Sequence, residues 1–156
     1  MSRPTSSSSG FTLIELMLAL GILALLVTLA VPAYQAPVER AERAQAAACL
    51  INLGTLLERH GATTGSYEDF WPGKADLDCR RALVDRYRFE AGVPGTSTWA
   101  AQTPAPDRWQ LRARRLVNEP GDLCAILVYR DVGRRGAVTA SGQVITDPDQ
   151  LDRCWQ

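Results

Sequence analysis

From Leu16 to Val38 the chain runs for 23 residues without one charged side chain, and Leu, Ala, Val and Ile make up most of them. As an α-helix, the 21 residues from Phe11 to Val31 would reach about 31 Å, the thickness of the hydrocarbon layer of a bilayer. This favours a membrane span over a buried core helix. Upstream, residues 1–10 form a short polar leader with a single base, Arg3, and no helical or strand period. A secretory signal peptide cut after Ala33, with the mature chain starting at Tyr34, is the competing reading, and Glu15 argues against it. An ionised carboxylate inside the apolar run costs roughly 2.5 to 3.5 kcal/mol on insertion scales, so it calls for a partner. No Lys, Arg or His lies between Thr12 and Val38 to provide one.

Beyond this run the composition is ordinary. The 156 residues suit one domain with an appendage and exclude a large multidomain enzyme. Seventeen Lys and Arg balance seventeen Asp and Glu, so bulk attraction to nucleic acid or acidic lipid is not expected.

The segment Gly10-Phe11-Thr12-Leu13-Ile14-Glu15-Leu16, followed by about twenty apolar residues and Pro32, closely resembles the amino terminus of type IV prepilins. The resemblance implies that a prepilin peptidase cuts between Gly10 and Phe11 and N-methylates Phe11. It places the family's glutamate on Glu15, the residue that membrane physics singles out by itself. Cutting after Gly10 would create a cationic amine able to neutralise the Glu15 carboxylate of an adjacent subunit where little water screens the pair. Arg3 before the span and Arg40 and Arg43 after it give the positive-inside rule no answer. The resemblance supplies one, with the leader in the cytoplasm and the remainder in the periplasm. Ser9 stands next to Gly10 where many relatives carry a base.

From Tyr34 to His60 the pattern remains helical, with apolar residues at Ala46, Cys49, Leu50, Leu53, Leu56 and Leu57 and with Gly61 as the expected C-cap. Unbroken from Phe11, such a helix would measure about 76 Å. Pro32 removes one backbone hydrogen bond and predicts a bend or melted turn near Thr28 to Val31. Gly21 reads equally as a packing contact or a hinge. After Gly61, short runs with strand chemistry at Tyr87–Ala91, Trp109–Leu116, Cys124–Tyr129 and Ala137–Ala140 predict a small antiparallel sheet. Alternation places Trp109, Leu111 and Ala113 on a face that would cover the Leu50–Leu57 stripe, with Gln110, Arg112 and Arg114 on the other face. The expected fold class is α+β, in the type IV pilin arrangement: a long amino-terminal helix, its first half transmembrane, packed by its second half on a small antiparallel sheet.

Cys49, Cys79, Cys124 and Cys154 lack a Cys-x-x-Cys pair, so zinc and thioredoxin readings lose their spacing and disulfides are favoured. Four cysteines allow three connectivities, and spacing chooses none of them. The pilin resemblance implies a carboxy-terminal bridge between Cys124 and Cys154. That leaves Cys49 and Cys79 for a second bridge, although a buried free thiol would also suit Cys49. His60, the only histidine, is expected to interact with the last helical carbonyls. Arg112, Arg114, Arg115, Arg134 and Arg135, with Trp99 or Trp109 for stacking, could form a nucleic-acid patch. A solvated face paired with Asp107, Glu119, Asp122 and Asp131 is the preferred reading. No nucleophile with a base, phosphate loop or metal spacing is present, so no enzyme activity, cofactor or metal is expected.

These readings divide the chain into a leader (1–10), a transmembrane and filament-core helix (11–33) and a periplasmic head (34–156). The function expected is that of a minor pilin supporting pilus biogenesis, twitching motility or adhesion. Trp109–Leu116, Gly121–Cys124 and Asp152–Trp155 look most like the PilE-like minor pilins. A type II secretion pseudopilin and a DNA-binding pilin for natural transformation are the alternatives. Expected partners are other pilin subunits, the prepilin peptidase and methyltransferase, an inner-membrane assembly platform and membrane lipid, with nucleic acid not favoured. The expected location is the inner membrane, then the surface pilus.

Overall fold

A computed structural model describes residues 11–70, 72–75, 77–94, 104–117 and 121–156; the side chains of 29–35 and 74 lie outside that description. The chain divides into two compact units, Met1–Glu39 and Arg40–Gln156. Helix α1 (Leu13–Thr64) contributes to both. A 3₁₀ turn (Pro72–Lys74), helix α2 (Asp78–Ala82), strands β1 (Tyr87–Gly92), β2 (Gln110–Arg115), β3 (Ile126–Arg130) and β4 (Arg135–Val138), and helix α3 (Pro148–Trp155) follow. The strands form one antiparallel sheet in the order β1-β2-β3-β4, so each pairs with its sequence neighbour. The fold is α+β, a long amino-terminal helix followed by a four-stranded antiparallel sheet, the class expected from the sequence.

Among the described residues, the first unit is the amino-terminal part of α1. Its large apolar side chains from Phe11 to Val27 are between 50% and 93% exposed. Among the described residues no helix is long and apolar enough to cross a membrane. Residues 29–35, inside the charge-free run, are not among those with described side chains. The helical backbone of α1 continues through Pro32, so no melted turn interrupts it there. A proline withholds only its own amide, and one missing bond need not unwind a helix that continues on both sides.

In the second unit, Ala46, Ala47, Leu50, Leu53 and Leu57 recur at helical spacing and are fully buried against Trp109, Leu111, Ala113, Leu127, Ala137 and Trp155. Leu111 and Ala113 lie on the inner face of β2, as its alternation predicts. Gly54 allows the close approach of helix and sheet. A Cβ there would lie 2.7 Å from Tyr129 Cε1 and 3.0 Å from Trp109 Cη2. Trp109 and Trp155 flank Tyr129 at centroid distances of 5.8 and 6.0 Å in tilted arrangements, and each indole has an acceptor.

Helix α1 ends one turn later than Gly61. Gly65 takes the left-handed conformation (φ 78°) and donates its amide to the Gly61 carbonyl at 2.8 Å, which closes the last turn. Gly61 is instead a packing position, because a Cβ there would meet the Tyr67 ring. Helix α3 was not anticipated. Asp147 caps it by accepting from the amides of Asp149 (2.9 Å) and Gln150 (3.5 Å), and Pro148 occupies the first helical position.

Candidate functional site

The residues of interest in the first unit begin with Thr12 and Glu15. Thr12 stands just before α1, and Glu15 is its third helical residue. The Thr12 amide donates to Glu15 Oε2 at 2.8 Å, and the Thr12 hydroxyl donates to the same oxygen at 2.9 Å. In return, the Glu15 amide donates to Thr12 Oγ1 at 3.3 Å. This is a reciprocal capping box, which satisfies two amides that the helix start leaves without partners. The Thr-x-x-Glu spacing was available in the sequence as its signal. Glu15 therefore has a local structural role in the single chain, with no cation among its partners.

Phe11 is 93% exposed, and Gly10 lies outside the described residues. Twelve large apolar side chains from Phe11 to Val27 are at least 50% exposed. Covering them would contribute on the order of 10 to 20 kcal/mol.

Residues 5–31 match the family model of the prokaryotic N-terminal methylation motif. The chain carries the type IV prepilin signature. No curated protein and no solved structure matches the chain. The match spans the amino-terminal segment and supports a type IV pilin-like or pseudopilin protein. It coincides with the capped, uncovered start of α1, so one segment contains the processing motif, Glu15 and the exposed apolar surface.

In the second unit of this prepilin-type chain, disulfides join Cys49 to Cys79 and Cys124 to Cys154. The first ties α1 to α2, and the second ties the start of the β3 segment to α3. His60 does not interact with the helix-end carbonyls through its ring. It stands 5.8 Å from the Phe70 ring with a buried Nε2 that has no hydrogen-bond partner, and the Thr63 and Thr64 hydroxyls donate to its main-chain carbonyl.

Several of the arginines are engaged within the head. Arg112 pairs with Glu90, and burial pulls its guanidinium below the ordinary pKa while Glu90 opposes that shift. Arg115 pairs with Asp122 at 3.4 Å, and Arg135 lies over the Trp155 ring at 5.5 Å. Trp109 is only 1% exposed, so it cannot receive a base; Trp99 and Glu119 lie outside the described residues. Arg108 pairs with Asp107 at 3.8 Å, while Asp131 accepts from the Trp109 amide at 3.4 Å instead of pairing with an arginine.

Sequence reasoning missed Glu58. One carboxylate oxygen accepts from Trp109 Nε1 at 2.9 Å and the other from the Tyr67 hydroxyl at 3.0 Å. Glu58 thus fastens α1 to both the sheet and the loop after the helix. It looked like one more polar residue on a solvated face, and nothing in the periodicity distinguishes it.

Proposed function

We propose that this protein is a minor subunit of a type IV pilus, of the PilE-like kind, supporting pilus biogenesis, twitching motility or adhesion. In this reading the leader is removed after Gly10, Phe11 is methylated, and residues 11–33 lie first in the inner membrane and then in the filament core. The head from residue 34 onward lies in the periplasm, where the Cys124–Cys154 bridge can form. The observation that carries the reading is the coincidence of the methylation motif with the start of α1, where the described large apolar side chains from Phe11 to Val27 are exposed. Such a helix requires lipid before assembly and neighbouring helices afterwards.

Processing would leave the Thr12 amide in place and create a cationic amine one residue before it. Glu15 could then keep its local cap or pair with the amine of an adjacent subunit. In a poorly solvated filament core, removing one partner of such a pair costs about 3 to 5 kcal/mol. The partners in this reading are the prepilin peptidase, an inner-membrane assembly platform and the other pilins.

The test is the intact mass and amino-terminal peptide of the protein purified from membranes. A methylated start at Phe11 is the expected result. A start at Tyr34 would mean a secreted soluble head and would refute the filament role.

A further inference from the structure

A cleft of about 940 Å³ opens where α1 enters the second unit, between α1, the Gly121–Cys124 turn and α3. Arg40 and Arg43 line it from α1, and Arg153 and Gln150 line it from α3. Arg40 and Arg153 are exposed, and among the described residues neither forms an ion pair. Arg43 reaches Asp122 only at 3.8 Å, and its Nε is buried without a hydrogen-bond partner. Asp122, 6% exposed, is the acidic side chain in the cleft and is already engaged by Arg115 at 3.4 Å. The cleft thus presents the guanidinium groups of Arg40 and Arg153, which form no ion pair among the described residues, and the unbonded Nε of Arg43, next to the apolar side chains of Ala41, Ala44 and Leu123.

At the other end of the same helix segment the loop after α1 exposes two adjacent carboxylates, Glu68 and Asp69. Asp69 lines a smaller cavity of about 460 Å³ with His60 and Arg59, which fixes the loop at the helix end. Among the described residues neither carboxylate forms an ion pair. Arg43 and His60 are 17 residues apart on a helix, about 25 Å, so the acidic loop cannot reach the cleft of its own chain. A second copy can bring it there.

We infer that the Arg40–Arg43–Arg153 cleft receives the Glu68–Asp69 loop of a second copy of this chain, stacked end on. Carboxylates suit arginine forks, and a short loop also covers the apolar wall. A phosphate backbone would instead run repeated negative charge past Asp122. The contact joins two different surfaces, so it is heterologous rather than two-fold symmetric. The inference rests on the pilus-subunit reading and deepens it, because it requires two copies of this chain to meet in the assembly.

The chain contains one lysine, Lys74, so Arg153→Lys places a single new amine in the cleft while keeping its charge. Membranes and sheared filaments from cells producing the full-length variant would be treated with a zero-length carbodiimide, which joins amines to carboxylates in direct contact. Mixed isotopic labelling separates links between copies from links within one. The expected product is a dimer whose linking peptide joins position 153 to Glu68 or Asp69 of the other copy. A second measurement follows incorporation into filaments. Glu68→Arg with Asp69→Arg should reduce it about tenfold, the effect of losing roughly one well-formed ion pair. Adding Arg40→Glu and Arg153→Glu to the same chain should restore it. All four side chains are exposed, so folding is retained and is checked by disulfide content. Absence of the dimer, a link confined to one chain or to another protein, or failure of the charge swap to rescue would each overturn the contact. The amino terminus is read in the same samples: a processed Phe11 start with no link refutes the contact alone, whereas an unprocessed chain refutes the pilus reading and the contact with it.

Discussion

Replacing Glu58 by alanine should destabilise the head more than any other exposed polar substitution on α1. Its carboxylate is the acceptor for the indole N–H of Trp109, a side chain only 1% exposed, and it also holds the Tyr67 hydroxyl. Truncation leaves the buried indole donor without a partner, which costs about 1 to 3 kcal/mol. The more solvated Tyr67 hydroxyl can turn to water, and alanine recovers a few tenths of a kcal/mol in helix propensity. The net loss is about 2 kcal/mol, equivalent to a fall of roughly 6 to 10 °C in Tm for a head of this size. Glu58→Gln keeps an oxygen for the indole and should lose only about 0.5 to 1 kcal/mol, the charge assistance of the bond. The assay is urea unfolding of the full chain in detergent with both disulfides intact, followed by circular dichroism. The reasoning is refuted if Glu58→Ala stays within about 0.5 kcal/mol of the parent, or if Glu58→Gln is as damaging as alanine.

Glu15→Gln preserves the capping box, which accepts Gln as well as Glu, but removes the charge. It should therefore insert normally and fail in filament incorporation as severely as Glu15→Ala; incorporation of the Gln variant at parental levels would show that capping is the whole role. Gly54→Ala drives a methyl into the Tyr129 and Trp109 rings, so despite better helix propensity it should cost about 1 to 3 kcal/mol, measurable by the same unfolding assay. Serine at both Cys124 and Cys154 opens a loop of 30 residues, with an expected loss of about 3.6 kcal/mol by the chain-entropy model and early proteolysis of the carboxy-terminal segment. Burial, aided by the hydrogen bond to Glu58, pushes the Tyr67 hydroxyl pKa above its ordinary value, and burial does the same for Tyr87 against the pull of Arg115. Above pH about 10 the unfolded tyrosines lose protons that the folded ones retain, so stability should fall as pH rises there, and Tyr67→Phe should flatten part of that slope.

The parts of the fold legible in the sequence were those dictated by period. The Ala46–Leu57 stripe and the alternation in β2 are one-dimensional signals, and the core they predict is the core observed. The charge-free run similarly announces a helix whose described large apolar side chains are exposed as far as Val27. Misplaced features are those in which a local signal meets a tertiary one. Gly61 has the chemistry of a helix stop, but the Tyr67 ring claims its bare face and Gly65 takes over the turn. Pro32 has the chemistry of a break, yet α1 continues through it. Helix α3 was legible in Asp147-Pro148-Asp149 but is too short for its period to stand out. Glu58, the Asp122 cluster and the cleft were out of reach, because each depends on side chains far apart in sequence that only the folded sheet brings together.

The two disulfides also bear on how such a subunit would carry mechanical load. Each closes a stretch of 30 residues, 49 to 79 and 124 to 154. Tension entering the head along α1 could not draw out either stretch while its bridge is intact, which withholds roughly 100 Å of chain contour in each case. Only the segment between Cys79 and Cys124, which contains β1 and β2, remains free to lengthen within the bridged part of the head. Oxidation would thus set the extensibility of the head as well as its stability. A reduced subunit pulled to the same force would extend by an amount that counts its open bridges.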